Sequence, residues 1–321
     1  MYTKTALVIG SRGQDGSLIS KSLLTKNYRV IGVARQKKEP SKTQLRLDIE
    51  KDMIQVKGDI ANPKDIDDLI SKYQPDEIYN FAAQSSVGKS FSCPKETFES
   101  IVQGTLNVLE TAKKLNFQGK TFFAGSSEIF GETKKAATLN SLHNPRSPYA
   151  IAKQTSFNLV KFYREQYGIN CITGILFNHE SPNRSDNFVT QRIISGAIQC
   201  SRDKSHEITL GNLDISRDWG WAEEYIEGVQ LITNSKKIKD HIICTGTLTS
   251  LKRFIEIAFN KLDLNWKDHI KSSKKLFRKS DILRSYGNPS QLKKDLNWKP
   301  IINIEEIIEK LIEGYIENHI D

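Results

Sequence analysis

The arrangement that most constrains the fold is a strand, a glycine-rich turn and a helix at the start of the sequence. The apolar run TALVIG (residues 5–10) predicts a buried strand, and LISKSLLTKN (18–27) has the apolar periodicity of a helix. Between them Gly10, Gly13 and Gly16 form the pattern GxxGxxG. A strand that passes through a tight glycine turn into a helix is typical of α/β proteins built on a parallel sheet.

The same alternation continues through the first half of the chain. Further strands are predicted at 28–35, 53–60, 77–83, 121–124 and 170–177, and helices at 63–73, 94–115 and 147–168. Right-handed crossovers then leave few topologies. We predict an α/β fold, a Rossmann-like doubly wound parallel sheet with a smaller mixed α/β C-terminal lobe. The predicted domains are a dinucleotide-binding unit at 1–177, with contributions from about 213–246, and a mainly substrate-binding lobe at 178–321.

Composition and charge exclude several function classes. The net charge is +9 over 321 residues, but the lysines are scattered, and there is no recognition-helix or zinc-finger pattern. We therefore expect no nucleic-acid partner. No leader-like or membrane-spanning apolar run is visible, so we expect a cytoplasmic protein without a membrane partner. The four cysteines are far apart and lack metal-ligand spacing, which predicts no metal site.

The glycine turn and the following strands predict a bound dinucleotide. Gly10 permits the tight turn, and Gly13 allows a pyrophosphate to approach the backbone. Gly16 allows the helix to pack closely on the strand. The second strand ends at Arg35 without an adjacent acid, and Arg35, helped by Lys37, suits the 2′-phosphate of NADP. A solvated basic loop is the alternative. Asp59, after the third strand, is placed to accept a hydrogen bond from the adenine amino group.

Two further features point to proton chemistry. Tyr149 and Lys153 are four residues apart on a predicted helix, so one helical face carries both. A nearby ammonium and a positive nicotinamide ring would favour the phenolate of Tyr149 and make it a base near neutral pH. Upstream, Glu128 follows a buried strand in the segment GSSEIFG, where a carboxylate is costly unless it is exposed, paired or used.

The order of these motifs resembles the extended short-chain dehydrogenase/reductase superfamily, and most closely the GDP-mannose 4,6-dehydratase family. The segments that carry the resemblance are GQDGS, AAQSSVGKSF, SSEIFG, PRSPYAIAK, YREQYGI, ILFNHESPNRSDNFVT, LGNLDISRDWGWAEEY and NPSQLKKDLNWKP. They follow the family order from residue 10 to residue 300. The most specific pair is ILFNHESP followed by LGNLD-x-x-RDWG.

The resemblance implies a dehydration with internal redox chemistry. Enzymes of this family remove a hydride from sugar C4 to NADP, eliminate water across C5 and C6, and return the hydride to C6. It implies that Tyr149 takes the O4 proton, Lys153 holds Tyr149 and the nicotinamide ribose, Ser126 hydrogen-bonds O4, and Glu128 abstracts the C5 proton. The proton for the departing C6 hydroxyl would come through a relay or from Glu128 itself, because Ser127 stands where related dehydratases carry an aspartate.

The resemblance also implies two ligand sites and a homodimer or homotetramer. The implied NADP-binding residues are Gly10, Gly13, Gln14, Asp15, Gly16, Arg35, Asp59, Ile60, Ala82, Ala83, Gln84, Ser86, Tyr149, Lys153, His179 and Arg184. The implied residues for a GDP-linked sugar are Ser85, Ser90, Ser127, Asn178, Val189, Arg192, Gly211, Arg217, Arg278 and Asp281.

The chain departs from the family pattern at several positions near the implied sugar and nucleoside. These are Phe130, Trp221, Asp281 and the pair Gln191–Arg192. These departures leave the exact sugar open. The expected substrate is GDP-mannose, with a GDP-manno-heptose or another GDP-manno-configured sugar as the alternative. A reductase or epimerase of GDP-4-keto sugars on the same scaffold is the second candidate enzyme, and Glu128 argues against it. A non-catalytic nucleotide-sensing relative is the third reading, disfavoured by the intact Ser126, Glu128, Tyr149 and Lys153.

Overall fold

The structure, a computed structural model, describes residues 2–35, 40–277 and 281–319. Its strands are β1 Thr5–Ile9, β2 Arg29–Ala34, β3 Ile54–Lys57, β4 Glu77–Asn80, β5 Lys120–Ser126, β6 Cys171–Leu176, β7 Asn178–Glu180, β8 Ile208–Leu210, β9 Ser216–Arg217, β10 Trp219–Trp221, β11 His241–Ile243, β12 Thr249–Ser250, β13 Ile270–Ser272 and β14 Arg284–Ser285. Its α-helices are α1 Gln14–Leu24, α2 Lys42–Arg46, α3 Pro63–Tyr73, α4 Val87–Ser90, α5 Pro94–Phe98, α6 Gly104–Lys114, α7 Pro148–Tyr167, α8 Val189–Arg202, α9 Ala222–Asn234, α10 Leu251–Asn260, α11 Ser290–Leu296 and α12 Ile304–Glu317. Within the described ranges, no helix is both long and apolar enough to cross a lipid bilayer.

Seven strands form one sheet in the order β11-β6-β5-β4-β1-β2-β3, and every neighbouring pair is parallel. The predicted Rossmann-like fold is confirmed. Chain order reverses between β1 and β4, and in open parallel sheets this switch point opens a crevice at the carboxyl ends of the strands. The functional site is therefore expected at this edge.

Alternate side chains of the strands supply two hydrophobic layers. Leu7 and Ile9 of β1 face a cluster that includes residues of α3, α6 and α7. Ala6 and Val8 of the same strand face the opposite cluster, built with α1, α9 and α11. This two-sided burial explains why the strands read as continuous apolar runs.

The predicted helix at 94–115 is continuous but not uniform. Between α5 and α6 lies the π-helical turn Glu99–Gln103, whose flanking residues keep right-handed helical torsions. Single π turns are often found at functional sites. Here the turn places Glu99 and Ser100 at the wall of the cleft described below.

A third hydrophobic cluster lies among later elements. It combines residues of α8, α10 and α12, including Ile193, Phe254 and Ile308, with the short strands β8 and β10. Two later elements instead join the large sheet: β11 pairs with β6, and α9 packs on β5 and β6. The domain boundary at residue 177 stays a prediction.

Candidate active site

A cleft of about 880 Å³ lies at the carboxyl edge of the sheet, between the sheet and residues of the later lobe. Its walls include the ends of β1, β2, β4, β5 and β6, the start of α7, and residues 178–190. All the residues predicted for catalysis and for NADP binding contribute to these walls: Gly10, Gly13, Gln14, Asp15, Gly16, Arg35, Asp59, Ile60, Ala82, Ala83, Gln84, Ser86, Ser126, Glu128, Tyr149, Lys153, His179 and Arg184.

The glycine turn has the shape of a phosphate cradle. Gly10 has φ +88°, and a Cβ there would lie 2.7 Å from the backbone nitrogen of Ala82. A Cβ on Gly16 would lie 2.2 Å from the carbonyl oxygen of Gly10, so helix α1 packs directly on the turn. At Gly13 the nearest atom to a Cβ is 3.6 Å away, which leaves the N-terminus of α1 open to the cleft. This turn fits the pyrophosphate of a dinucleotide.

The four predicted catalytic residues meet where β5 ends and α7 begins. Ser126 ends β5, and its hydroxyl accepts a hydrogen bond from the backbone nitrogen of Glu128 at 3.3 Å, opening a 3₁₀ turn. Helix α7 starts at Pro148 after the cap Ser147, whose hydroxyl accepts from the nitrogen of Ala150. This start places Tyr149 and Lys153 in the first turns of α7, beside the end of β5.

Burial dominates the titration of Tyr149 and Lys153. Burial raises the pKa of Tyr149 to about 12, opposed by a hydrogen bond with Ser126 and reinforced by the negative charge of Glu128. Burial lowers the pKa of Lys153 to about 8, opposed by Asp15. Protein groups alone therefore leave Tyr149 a neutral phenol at pH 7. The expected phenolate also depends on the positive ring of a bound nicotinamide, and it stays a prediction.

The lysine and the tyrosine are neighbours without a direct hydrogen bond between their side chains. The ammonium of Lys153 donates to the carbonyl oxygen of Ala124 at 2.7 Å, and its nitrogen lies 5.8 Å from the centre of the Tyr149 ring. The carbonyl anchors the lysine against β5. The lysine is therefore held beside the Tyr149 ring.

An ion pair joins the glycine-rich segment at the start of α1 to strand β7. His179 Nδ1 lies 2.7 Å from the carbonyl oxygen of Phe177, and its Nε2 lies 3.0 Å from Asp15 Oδ1. Both partners are acceptors, so both ring nitrogens carry a proton and the ring is an imidazolium. Burial alone would lower the pKa of His179, but Asp15 raises it above its ordinary value. Burial alone would raise the pKa of Asp15, but His179 lowers it to about 2.

We predict that Asp15→Asn destabilises the protein in a pH-dependent way. The lowered pKa of Asp15 contributes stability above its ordinary value, and this is lost as pH falls toward about 2. The raised pKa of His179 contributes stability below its ordinary value, and this is lost as pH rises through the raised value. The cost in the free energy of unfolding should be about 2 kcal/mol near pH 6 and smaller near pH 9, measured by urea unfolding. Asp59→Asn, in the same cleft, is the control, and an equal cost at both pH values would contradict the ion pair.

A second network ties residues 179–190 together. Arg184 donates to the carbonyl oxygen of His179, lies 3.1 Å from the buried carboxylate of Glu180, and covers the ring of Phe188 at 4.0 Å. The hydroxyl of Thr190, in the first turn of α8, donates to Glu180 at 2.7 Å. Arg184 is thus held at the wall of the cleft.

Gln84 also lines the cleft, and its amide is used within the loop. It donates to the carbonyl oxygen of Ser86 at 2.9 Å and accepts from the nitrogen of Ser86 at 2.7 Å. A further hydrogen bond reaches Thr97 at 3.2 Å. Gln84 therefore shapes the loop after β4, where Ala82 and Ala83 face the cleft.

The residues predicted for the sugar nucleotide divide into two groups. Those in the cleft wall are Ser85, Ser127, Asn178, Val189 and Arg217. Those outside it are Ser90, Arg192, Gly211 and Asp281. Ser90 is buried and donates to the carbonyl oxygen of Val87, whereas Arg192 is exposed and donates to the carbonyl oxygen of Thr209. Gly211 packs on Leu276. The structure therefore places these four predicted residues outside the cleft wall. Arg278 and Lys37 lie outside the described residues.

Most departures from the family pattern lie away from the cleft wall. Phe130 is buried and stacks on Phe177, with ring centres 6.3 Å apart. Trp221 is buried in the third hydrophobic cluster, and its indole nitrogen donates to Glu223 at 2.5 Å. Gln191 is buried and donates to the carbonyl oxygen of Ser181. These three residues are buried around the cleft and do not line it.

Sequence reasoning missed several residues of the wall. They are Arg12, Lys89, Glu96, Glu99, Ser100, Glu180, Asn183, Ser185, Asn187, Phe188 and Trp219. Asn183, Ser185 and Asn187 lie in the quoted segment ILFNHESPNRSDNFVT, next to the predicted Arg184, and could have been included on that ground. The placement of Glu96 beside Arg35 depends on how the helices pack, for which the sequence holds no signal.

Comparison with known proteins identifies the family. A family model described as GDP-mannose 4,6 dehydratase matches residues 7–311. A relative from Arabidopsis thaliana, GDP-mannose 4,6 dehydratase 1, is 34% identical over 325 residues, covering 98% of this chain and 90% of the relative. The GDP-mannose 4,6-dehydratase of Vibrio cholerae serotype O1 (strain El Tor Inaba N16961) is 31% identical over 359 residues, covering 99% of this chain and 95% of the relative.

Solved structures show the same fold. A dTDP-glucose 4,6-dehydratase from Bacillus anthracis in complex with NAD has a TM-score of 0.86 at 20% identity, covering 98% of this chain and 97% of the other. A UDP-glucose 4-epimerase from Thermotoga maritima with UDP-glucose has a TM-score of 0.87 at 21% identity, covering 99% of this chain and all of the other. At such identity the likeness concerns the fold alone. The family match and the curated relatives confirm the resemblance seen in the sequence: the chain belongs to the GDP-mannose 4,6-dehydratase family and is an enzyme of the dehydratase class.

Proposed function

We propose that the protein is an NADP-dependent GDP-sugar 4,6-dehydratase that converts GDP-mannose to its 4-keto-6-deoxy product. The observation that carries the proposal is the presence of Glu128 in the same cleft as Ser126, Tyr149 and Lys153. A reductase or epimerase acting at C4 needs one acid–base group for O4. An elimination across C5 and C6 needs a second base for C5, and Glu128 supplies one.

The cleft fits the cofactor that this chemistry needs. The open N-terminus of α1 at Gly13 would hold the pyrophosphate, and Asp59 and Arg35 stand at the ends of β3 and β2, where an adenosine half would lie. A bound nicotinamide would supply the two-electron chemistry at C4 and C6 and finish each turnover in its starting redox state. Arg35, with no acid next to it in β2, supports NADP over NAD.

Tyr149, Ser126 and Lys153 would handle the O4 proton. The Ser126 side chain is near enough to the Tyr149 hydroxyl to lower the pKa of Tyr149, so both groups can contact one sugar oxygen. As C4 is oxidised, Tyr149 Oη takes the O4 proton and the Ser126 hydroxyl forms a hydrogen bond with O4. Tyr149 must be a phenolate to accept this proton. Lys153, fixed on the carbonyl oxygen of Ala124, and the positive ring of a bound nicotinamide would stabilise that phenolate, whose charge is neutralised when the proton arrives.

Glu128 would then take the C5 proton. A ketone at C4 makes this proton acidic, and Tyr149 already faces O4. Glu128 is half-buried at the start of the 3₁₀ turn, with its backbone nitrogen fixed on Ser126. The C5 proton and the hydroxyl that leaves C6 together form the lost water.

Product analysis tests the proposed function. The purified protein is incubated with GDP-mannose, and separately with a GDP-manno-heptose, in the presence of catalytic NADP, and product mass is followed. We expect loss of one water from GDP-mannose without accumulation of NADPH. Dehydration of the heptose alone would show that the heptose, and not GDP-mannose, is the substrate. Oxidation of NADPH by a 4-keto sugar without loss of water would show that the enzyme is a reductase.

We further propose that the protein forms a homodimer through α5, α6 and α7, with a tetramer as the alternative. Apolar side chains on this side are partly exposed: Leu115 by 38%, Phe162 by 48% and Tyr167 by 45%. Light scattering of the purified protein measures the state, and a monomer at micromolar concentration would contradict the proposal.

A further inference from the structure

An acidic side chain lies beside the arginine expected to select the cofactor. Glu96 lies in helix α5. Its Oε1 atom is 3.8 Å from Arg35 Nη1, and its Oε2 atom is 3.2 Å from Lys89 Nζ. All three residues line the cleft at its adenosine end, near the end of β2. Arg35 is 66% exposed and Lys89 is 55% exposed, so both cations are within reach of a ligand.

The charges at this corner work against one another. The 2′-phosphate of NADP carries a charge of about −1.5 to −2, whereas the 2′-hydroxyl of NAD is neutral and can donate a hydrogen bond. Arg35 and Lys89 attract the phosphate, and the Glu96 carboxylate repels it and occupies the same two cations. The hydrogen bond from Lys89, with its positive charge, lowers the pKa of Glu96, so Glu96 is ionised at neutral pH.

We propose that Glu96 sets the selectivity of this enzyme between NADP and NAD by weakening the binding of a 2′-phosphate to Arg35 and Lys89. The inference rests on the proposed dinucleotide site. With Glu96 in place the protein binds NADP with only a modest preference over NAD. The carboxylate also offers a 2′-hydroxyl the acceptor that is missing at the end of β2.

Binding of two adenosine fragments tests the inference without any sugar substrate. The probes are 5′-AMP and adenosine 2′,5′-bisphosphate, which differ only in the 2′-phosphate, and their affinities for wild type and Glu96→Gln are measured by calorimetry at low salt. We expect the ratio of the two affinities to shift toward the bisphosphate by about tenfold, since one charge at ~6 Å from a doubly charged phosphate is worth about a factor of ten in water. Raising the salt concentration should shrink the shift.

Glu99→Gln is the matched control. Glu99 lies in the following π turn, lines the same cleft and pairs with Lys95 at 3.8 Å instead of with Arg35. We expect its affinity ratio to equal that of wild type. Both glutamates are exposed enough that neither substitution should affect folding.

The inference fails if Glu96→Gln leaves the ratio of the two affinities unchanged, for example by strengthening the binding of both probes equally. It also fails if Glu99→Gln shifts this ratio as much as Glu96→Gln does. It also fails if neither probe binds. Failure of the proposed function is a separate result, because water loss from GDP-mannose is measured with NADP present and does not depend on the ratio. A protein that shows the shift but does not dehydrate GDP-mannose would keep the role of Glu96 and lose the proposed substrate.

Discussion

Glu128→Gln is expected to reduce water elimination from GDP-mannose by about 10³-fold, because the substitution removes the base for C5 and keeps the shape of the side chain. Glutamine cannot accept a proton at neutral pH. The backbone contact from residue 128 to Ser126 does not involve the side chain, so the 3₁₀ turn should persist. The folded structure and the binding of GDP-mannose should therefore be nearly unchanged.

The rate of product formation, followed by mass, measures this effect, with thermal unfolding as the control for folding. Glu128→Asp is the graded variant. It keeps the carboxylate but withdraws it by one methylene, so its rate should lie between wild type and Glu128→Gln. A Glu128→Gln enzyme that retains most of the wild-type rate would remove Glu128 from the mechanism.

Tyr149→Phe is expected to reduce the overall reaction by a similar factor for a different reason. The hydroxyl that would take the O4 proton is lost, so oxidation at C4 stops and no later step begins. Burial already keeps the Tyr149 pKa near 12, so phenylalanine replaces a neutral group and the ring packing is preserved. Steady-state turnover of GDP-mannose measures the loss, and thermal unfolding should stay close to wild type.

A GDP-linked 4-keto sugar separates the two variants. Its C5 proton is already acidified by the ketone, so exchange with heavy water needs Glu128 and not Tyr149. Tyr149→Phe should exchange this proton at a rate near that of wild type, and Glu128→Gln should exchange it about 10³-fold more slowly. Equal exchange by both variants would mean that the two residues do not have separate roles.

Local patterns predicted the elements that build the site. The GxxGxxG turn, the buried strands and the spacing of Tyr149 and Lys153 each depend on residues close together in sequence. The structure places these residues at one edge of one sheet, as parallel strands require. The parallel topology thus explains why Gly10, Glu128 and Tyr149, far apart in the chain, line a single cleft.

Long-range packing accounts for what the sequence did not predict. The pairing of β11 with β6 joins segments about 65 residues apart, and Glu96 is separated from Arg35 in the chain by three helices and two strands. The pKa of Tyr149 is another case, because its largest cause is burial by the surrounding site. Arg192 and Gly211 lie outside the cleft wall for a related reason, since their contacts are with Thr209 and Leu276.

The most direct test of the central claim follows hydrogen through one turnover. GDP-mannose carrying deuterium at C4 is converted in ordinary water, and unlabelled GDP-mannose in heavy water, with catalytic NADP in each case; the products are read by NMR. The account predicts that the C4 deuterium appears at C6, that solvent deuterium enters at C5, and that Glu128→Gln abolishes both. A product that keeps its C6 hydroxyl, or one without solvent deuterium at C5, would contradict an elimination in which Glu128 removes the C5 proton.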